Sequence, residues 1–207
     1  MMSGATACMI LIAVGYLLGS INSAIVVSKV FMGYDIRTMG SGNAGLTNSY
    51  RCMGLKPTIF VLCGDIAKAV IASAIGGMLM GPLGTLIAGC SAIIGHMFPL
   101  YFHFKGGKGI LVGGTMIAVF DWRIFCIIML FFFVLVGITK WVSLGSIVAT
   151  TLVPFLTVYF YWGDATLPAM AVLLFIMAAA VVYMHRANIV RIIHGKENKF
   201  SLHREKK

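Results

Sequence analysis

Long apolar runs dominate this sequence and decide what it can fold into. A helix needs about 20 apolar residues to cross the hydrocarbon core of a bilayer. Of the 207 residues, 60% are hydrophobic and only 11% are charged, and the mean hydropathy is +0.98; a soluble domain is about half apolar and about a quarter charged. The sequence therefore predicts an all-α integral membrane protein. The predicted segments are Ala5–Val27, Pro57–Met80, Leu83–Phe104, Ile110–Phe120, Ile124–Thr139, Ser146–Tyr161 and Leu167–Met184.

The positions of the basic residues indicate how these segments are threaded. Cytoplasmic loops of membrane proteins carry an excess of Lys and Arg. With seven spans and the N-terminus outside, fourteen of the 16 Lys and Arg residues face the cytoplasm, while Arg123 faces outward and Lys68 lies within the second span. Omitting the short fourth segment would weaken this asymmetry. We therefore predict about seven transmembrane helices in a single domain, residues 1–207, with the C-terminus in the cytoplasm.

This distribution also bears on the partners of the chain. The formal net charge is +10, which in a soluble protein would suggest a nucleic-acid partner. Here the basic residues flank apolar runs, so we expect membrane lipid as a partner and no nucleic acid. The first apolar run resembles a signal peptide, but no basic residue precedes it, and we interpret it as the first span.

The polar stretch GSGNAGLTNSYRCMG, residues 40–54, interrupts this apolar chain. Gly40, Gly42 and Gly45 allow positive φ angles and close approach of a ligand to the backbone, and exposed N–H groups in such loops bind anions. The Arg51 guanidinium suits phosphate or carboxylate. The stretch predicts a phosphate site, and the alternative is a flexible, solvated loop. The candidate ligands are Ser41, Gly42, Asn43, Thr47, Asn48 and Arg51.

A second stretch, FKGGKG at residues 104–109, combines two lysines with three glycines. Lys105, Gly106, Gly107 and Lys108 could close on a phosphate from another side. The stretch does not match a Walker loop, because Gly109 stands where Ser or Thr is required. The alternative is a pair of lysines at a helix end that only set the orientation in the membrane.

Two further polar stretches lie near the ends of later segments. VSLGS contains Ser143 and Ser146, which could donate to an anion at a helix N-terminus or act as helix caps. HRAN contains His185 and Asn188, three residues apart, and His185 is the candidate general base; the alternative is a favourable charge at a helix C-terminus.

Charged groups within the predicted spans need partners. Asp65 and Lys68 are three residues apart in the second span, and intramembrane charges are costly unless they are paired. We predict a structural ion pair between them. His96 in the third span is interpreted as a hydrogen-bonded interior residue.

Read together, GSGNAGLTNSYRCMG, GHMFPLYFHFKGGKG, VSLGS and HRANIVRIIHGKENK resemble the PlsY family of bacterial acyl-phosphate:glycerol-3-phosphate acyltransferases. The resemblance extends from Gly19 to Glu197, and Asp35 and Arg37 match its DxR element. There are departures: Asn22 stands where the family usually has proline, and Ala187 occupies a commonly acidic position.

The resemblance implies transfer of a fatty acyl group from acyl phosphate to the 1-hydroxyl of glycerol 3-phosphate, giving lysophosphatidic acid and phosphate. It implies that neither a metal nor acyl-CoA is needed. We also expect no cofactor, a monomer, and an active site on the cytoplasmic side of the bacterial inner membrane. We expect direct attack by the glycerol hydroxyl, with His185 or a substrate phosphate oxygen as the base. The alternative function is a transporter or a non-catalytic binder of phosphorylated metabolites or lipids.

Overall fold

The computed structural model of the protein describes residues 3–199, and its regular structure is helical throughout. Arg204, Lys206 and Lys207, which contribute to the predicted orientation, lie outside the described residues. The helices are α1 (Gly4–Ser20), α2 (Ser23–Met32), α3 (Leu46–Met53), α4 (Leu55–Met97), α5 (Ile110–Phe120), α6 (Trp122–Thr139), α7 (Val142–Phe160), α8 (Leu167–Met184) and α9 (Arg186–Ile193). Short 3-10 turns cover Ile36–Thr38 and Leu100–Phe102.

The all-α membrane fold predicted from the apolar runs is confirmed. Five stretches in the described part of the chain are long and apolar enough to cross a membrane. Large apolar side chains on them are exposed, such as Ile138 on α6 at 77%, as expected for helices that face lipid. Helix α5 has only 11 residues, or about 16 Å at 1.5 Å per residue, so the count of seven spans stays a prediction. The five stretches are Gly4–Met32, Leu55–Phe102, Trp122–Thr139, Val142–Phe160 and Leu167–Met184.

The first predicted segment, Ala5–Val27, is not one continuous helix. Ile21 and Asn22 leave the helical conformation, with ψ angles of 92° and 105°. The Asn22 side-chain oxygen accepts a hydrogen bond from the Ile25 amide at 3.1 Å and so caps α2. The break appears in the sequence only as a short stretch with three polar residues, Ser20, Asn22 and Ser23, within an apolar run.

The ammonium of Lys68 compensates for this break. Its Nζ atom donates to the carbonyl oxygens of Gly19 at 3.2 Å and Ile21 at 2.7 Å. Lys68 also lies 2.8 Å from the carboxylate of Asp65, and both side chains are buried. The predicted ion pair is therefore confirmed, and it satisfies carbonyl groups that would otherwise be costly inside a membrane.

Helix α4 contains a reversal that joins two of the predicted spans. Met80 and Gly81 have non-helical backbone angles, and Gly81 has a φ of 61°. A Cβ on Gly76 would overlap the carbonyl oxygen of Gly84, and a Cβ on Gly84 would overlap that of Gly76. Eight residues span about 12 Å along a straight helix, so this contact requires α4 to fold back on itself as a hairpin.

Small residues also bring α1 against the second leg of α4. A Cβ on Gly15 would overlap the carbonyl oxygen of Ala88, and one on Gly19 would overlap that of Ala92. Gly95 meets the backbone of α1 in the same way at Tyr16. Such small-residue contacts are typical of helix packing in membranes.

The described chain forms two compact units, which divide between Phe120 and Asp121. The N-terminal unit contains α1–α5, and the C-terminal unit contains α6–α9. Within the C-terminal unit, Gly145 of α7 packs against Phe132 and Val136 of α6. The Phe155 and Phe175 rings join α7 to α8, with centroids 5.2 Å apart.

A prediction follows for the α4 hairpin. Gly76→Ala places a methyl group on the opposing backbone, so we expect it to lower the free energy of unfolding by about 1–3 kcal/mol. Gly114→Ala in α5 is the matched control, because its Cβ would meet no atom within 4 Å and alanine favours a helix by up to about 1 kcal/mol. Thermal unfolding in detergent measures both variants. Equal effects of the two substitutions would contradict the hairpin contact.

Candidate active site

The segment that leads into the first glycine-rich loop is fixed by an Asp–Arg fork. Arg37 donates from Nε to Oδ1 of Asp35 at 2.9 Å and from Nη2 to Oδ2 at 2.7 Å. The same Oδ1 accepts from the Arg37 amide at 3.0 Å. The hydrogen bonds from Arg37 hold the pKa of the Asp35 carboxyl at about 2. Asp35 is therefore ionised throughout the physiological range, and the guanidinium keeps a fixed orientation.

Arg37 also holds the second glycine-rich loop. Its Nη1 atom donates to the carbonyl oxygens of Phe102 at 2.8 Å and Lys105 at 2.9 Å. A single guanidinium thus fixes two chain segments that lie more than sixty residues apart in the sequence. The two predicted phosphate-binding stretches are brought together in the N-terminal unit by this residue.

The backbone of the first loop, residues 40–45, differs in part from the prediction. Gly40 and Gly42 have positive φ angles of 58° and 72°. The expected positive φ is not found at Gly45: its φ is −146°, and it is the extended N-cap residue that precedes α3. The Ser41 amide donates to Asn48 Oδ1 on α3, the Gly42 amide to the Met39 carbonyl, and the Gly45 amide to the Asn43 carbonyl. These three N–H groups are therefore engaged in holding the loop.

The side chains of Asn48 and Asn22 hold this loop through hydrogen bonds to its backbone and to the residue before it. Asn48 is buried; its Oδ1 accepts from the Ser41 amide at 2.9 Å, and its Nδ2 donates to the Met39 carbonyl at 3.0 Å. The Asn22 Nδ2 atom donates to the carbonyl of Ala44 at 3.3 Å. Their observed role is to position the loop, and contact of Asn48 with substrate stays a prediction.

Other candidates of the first stretch are accessible. Thr47 and Arg51 are exposed and four residues apart on α3, so they share one face of that helix. Ser41 and Gly42 are also exposed, and Asn43 is half-buried. Among the described residues, Arg51 forms no ion pair. Its guanidinium is thus available to an anion.

The second loop lies against the C-terminal end of α4. The Gly106 amide donates to the Met97 carbonyl at 3.0 Å, and the Gly107 amide donates to the His96 carbonyl at 3.1 Å. A Cβ on Gly106 would overlap the His96 carbonyl oxygen. The glycines therefore permit close backbone packing, which leaves the Lys105 side chain exposed and that of Lys108 half-buried.

In the C-terminal unit, Glu197 brings predicted site residues together. Its Oε1 atom accepts from the Ser143 hydroxyl at 2.9 Å and from Asn188 Nδ2 at 2.6 Å. Its Oε2 atom accepts from Arg191 Nε at 2.7 Å. Glu197 is only 8% exposed. Burial acts to raise its pKa, but the hydrogen bonds from Asn188, Arg191 and Ser143 outweigh it, and the net pKa is lowered.

The other two candidates in this unit make backbone contacts. The Ser146 hydroxyl donates to the Val142 carbonyl at 2.8 Å inside α7, so the alternative role as a helix cap is not observed for this residue. His185 lies between α8 and α9 and is 2% exposed. Its Nδ1 atom is 2.8 Å from the Val181 carbonyl. A carbonyl can only accept, so Nδ1 carries the proton and the neutral ring can accept a proton only at Nε2.

The sequence reasoning did not identify Glu197 as a site residue. One signal was available: the chain has only six acidic residues against 16 basic ones, and isolated buried carboxylates are too costly to leave unpaired. The spacing of Ser143, Asn188 and Glu197 along the chain did not indicate their contact.

The described part of the chain contains no group of three His, Cys, Asp or Glu side chains that could hold a metal ion. Its five described acids all accept hydrogen bonds or form ion pairs with neighbouring residues. These acids are Asp35, Asp65, Asp121, Asp164 and Glu197. The exposed candidate groups are thus cations, hydroxyls and amides, which suit an anionic ligand.

Comparisons with known proteins agree with this chemistry. A family model described as "Glycerol-3-phosphate acyltransferase" matches residues 9–195. The glycerol-3-phosphate acyltransferase of Bacillus subtilis (strain 168) is 38% identical over 191 residues, covering 92% of this chain and 96% of the relative. "Glycerol-3-phosphate acyltransferase 2" of Moorella thermoacetica is also 38% identical over 191 residues, covering 91% and 95%.

Solved structures are similar as well. The crystal structure of PlsY (YgiH), an integral membrane glycerol 3-phosphate acyltransferase, in its glycerol 3-phosphate form matches with a TM-score of 0.83 and 32% identity. That match covers 94% of this chain and 96% of the other. The lysophosphatidic acid form matches with a TM-score of 0.80 and 30% identity.

These findings define an integral membrane acyltransferase. The chain belongs to the glycerol-3-phosphate acyltransferase family, as the resemblance of its four polar stretches predicted.

A first prediction concerns Arg37. A lysine has one ammonium and cannot satisfy both oxygens of Asp35 and two carbonyl groups together. We therefore expect Arg37→Lys to misplace the loops and to lower acyltransferase activity about 10- to 100-fold. The control is Arg123→Lys, because Arg123 makes the same fork with Asp121, at 3.1 and 2.7 Å, and is not a candidate site residue. Initial rates of both variants are compared. Equal losses would refute a special role for Arg37.

A second prediction concerns Glu197. In Glu197→Gln, the one amide oxygen can take the place of Oε1 and accept from Ser143 and Asn188. The NH₂ group then takes the place of Oε2 and faces the Nε–H group of Arg191, so two donors oppose each other. We expect a loss of about 1–3 kcal/mol of stability, measured as a lower thermal midpoint at neutral pH. Because the pKa of Glu197 is lowered in the folded state, its stabilisation is present above the unfolded pKa and is lost as pH falls below about 4. The variant should therefore lose less stability than the wild type on acidification.

Asp164→Asn is the control for Glu197→Gln. Both hydrogen bonds to the Asp164 carboxylate reach one oxygen, Oδ1, from Thr166, and asparagine keeps such an oxygen. We expect a change within about 0.5 kcal/mol. A Glu197→Gln variant as stable as this control would contradict the assigned network.

Proposed function

We propose that this protein transfers a fatty acyl group from acyl phosphate to the 1-hydroxyl of glycerol 3-phosphate and releases lysophosphatidic acid and phosphate. One observation carries the proposal: Arg37 joins the two glycine-rich loops of the N-terminal unit, where Arg51 and Lys105 are exposed cations. Both substrates carry phosphate, and paired acids leave little negative charge to repel them. Family membership supports the same conclusion.

The reaction needs no nucleophile from the protein, because acyl phosphate is already activated. The hydroxyl oxygen of glycerol 3-phosphate attacks the acyl carbon, the carbon–oxygen bond to phosphate breaks, and phosphate leaves. The hydroxyl proton passes to a base. Positioning and stabilisation of charge then supply most of the rate.

His185 is the proposed base. Its Nδ1–H is engaged by the Val181 carbonyl, which orients the ring and assigns proton acceptance to Nε2. A substrate phosphate oxygen is the alternative acceptor. The proposed substrate-binding residues are Ser41, Gly42, Asn43, Thr47, Asn48, Arg51, Lys105, Gly106, Gly107, Lys108, Ser143, Ser146 and Asn188.

The proposed setting is the inner membrane of a bacterial cell. Seven spans with the N-terminus outside put the basic loops and the active site on the cytoplasmic side, where cytosolic glycerol 3-phosphate would reach them. The hairpin in α4 would supply two of these spans. We propose that the chain is a single catalytic domain and acts as a monomer.

The proposal is tested with purified protein in lipid, given palmitoyl phosphate with and without glycerol 3-phosphate. We expect phosphate release that requires glycerol 3-phosphate and equals the lysophosphatidic acid detected by mass spectrometry. Arg51→Ala and Lys108→Ala should abolish most of it. His185→Asn keeps an N–H for the Val181 carbonyl but removes Nε2, so we expect at least about a 100-fold lower rate.

Arg123→Lys and Asp164→Asn serve as controls that should retain the rate. Undiminished turnover of His185→Asn would assign the proton to the substrate phosphate. An acyl-serine or acyl-cysteine intermediate would overturn direct attack. Absence of turnover, with glycerol 3-phosphate still bound, would favour a transporter or a non-catalytic binder.

A further inference from the structure

A buried polar chain connects the break between α1 and α2 to the second glycine-rich loop. Lys68 holds the broken helix through Gly19 and Ile21, and its Nζ atom is also 3.0 Å from Nδ1 of His96. Lysine ammonium can only donate, so His96 Nδ1 accepts and the ring proton lies on Nε2. The His96 side chain is 4% exposed and that of Lys68 is 5% exposed. The imidazole is therefore fixed from one side by a buried cation.

The other side of the imidazole faces the loop. A Cβ on Gly107 would overlap Nε2 of His96, and it would lie 2.6 Å from the Ala44 carbonyl oxygen. Gly107 thus lies against the ring and against the first glycine-rich loop together. The Gly107 amide also donates to the His96 carbonyl at 3.1 Å. The backbone and the ring of one residue, His96, support the loop between Lys105 and Lys108.

The support acts at the point where the two loops meet. Ala44 is held by Asn22, and Gly107 is flanked by Lys108, one of the proposed phosphate ligands. A shift of the ring would therefore move the Gly107 backbone, and with it the start of the Lys108 side chain. Displacements of about 1 Å in such positions can cost about 100-fold in function.

We propose that His96, held by Lys68, is a positioning residue that sets the phosphate affinity of the FKGGKG loop. It acts through Gly107 and takes no part in proton transfer. The proposal rests on the proposed function for the identity of the ligand, but the loop's affinity for phosphate is measurable without turnover. A residue that served only to hold the helices together would change stability and would leave phosphate affinity intact in the folded protein.

Two substitutions separate the two contacts of His96. Asparagine offers an oxygen near the place of Nδ1 and can accept from Lys68, but it is too short to reach beneath Gly107. Glutamine extends to the place of Nε2. We expect His96→Asn to weaken binding of inorganic phosphate about tenfold by isothermal titration calorimetry and to raise the KM for glycerol 3-phosphate by a similar factor, with kcat within about threefold. His96→Gln should lie closer to the wild type.

Ser73→Ala is the matched control within α4. Ser73 is buried, and its hydroxyl has no hydrogen-bond partner among the described residues; it is not a candidate site residue. We expect phosphate affinity and KM to stay at wild-type values. This control separates a general disturbance of α4 from the contact at Gly107.

A double variant tests the contact if His96→Asn accumulates poorly. Gly107→Ala alone should weaken phosphate binding, because its methyl group overlaps the ring and also lies 2.6 Å from the Ala44 carbonyl oxygen. Adding His96→Asn removes the ring and should recover part of that loss, so the two effects should not add.

The outcomes distinguish the two proposals. Unchanged phosphate affinity in folded His96→Asn, a loss in kcat alone, or additive effects in the double variant would overturn the positioning role. Wild-type protein that binds phosphate without turnover, with weaker binding in His96→Asn, would overturn the proposed reaction and uphold the positioning role. Wild-type protein that binds no inorganic phosphate would overturn the positioning role, whether or not it turns over its substrates.

Discussion

The N-terminal unit depends on the hydrogen bonds that the Lys68 ammonium donates at the break between α1 and α2. A helix that breaks within a membrane leaves carbonyl groups without N–H partners, and lipid cannot supply them. Lys68 donates to two such carbonyls at the end of α1 and balances its own charge against Asp65. The break then lets Asn22 turn toward Ala44 in the first glycine-rich loop. The break would be costly without Lys68, and with Lys68 it places Asn22 where it holds the first glycine-rich loop.

Charge is divided between two tasks in this protein. The few acids fix structure: Asp35 orients Arg37, Asp65 balances Lys68, and Glu197 gathers Ser143, Asn188 and Arg191. Because these carboxylates are paired, the exposed cations of the loops are not neutralised by them. Among the described residues, no carboxylate pairs with Arg51 or Lys105. An anion that approaches the loops therefore meets these two cations without a competing carboxylate. This division matches the chemistry of phosphate substrates.

Much of this organisation could be predicted because it depends on local composition. Apolar runs identified the long apolar helices but not α3 and α9, which lie in polar stretches. The Asp65–Lys68 pair followed from a spacing of three residues within one helix. The glycines of residues 40–45 and 106–107 were predicted to let a phosphate approach the backbone, which stays a prediction, and the structure shows a further reason for them. Gly45 is extended, and Gly106 and Gly107 are needed where the backbone meets α4. Close approach of distant segments leaves no periodic signal in a sequence.

The sequence alone determined the membrane class, the long apolar segments and the four polar stretches, since each depends on residues that are neighbours in the chain. Only the tertiary structure decided which groups meet. Arg37 reaches carbonyls at residues 102 and 105, Glu197 reaches Ser143, and His96 lies beneath Gly107. Each contact joins segments whose separation in the chain carries no information about their distance in space. Hydrogen bonds and steric fit act over a few ångströms, so they are set by the packing of the helices that bring those segments together.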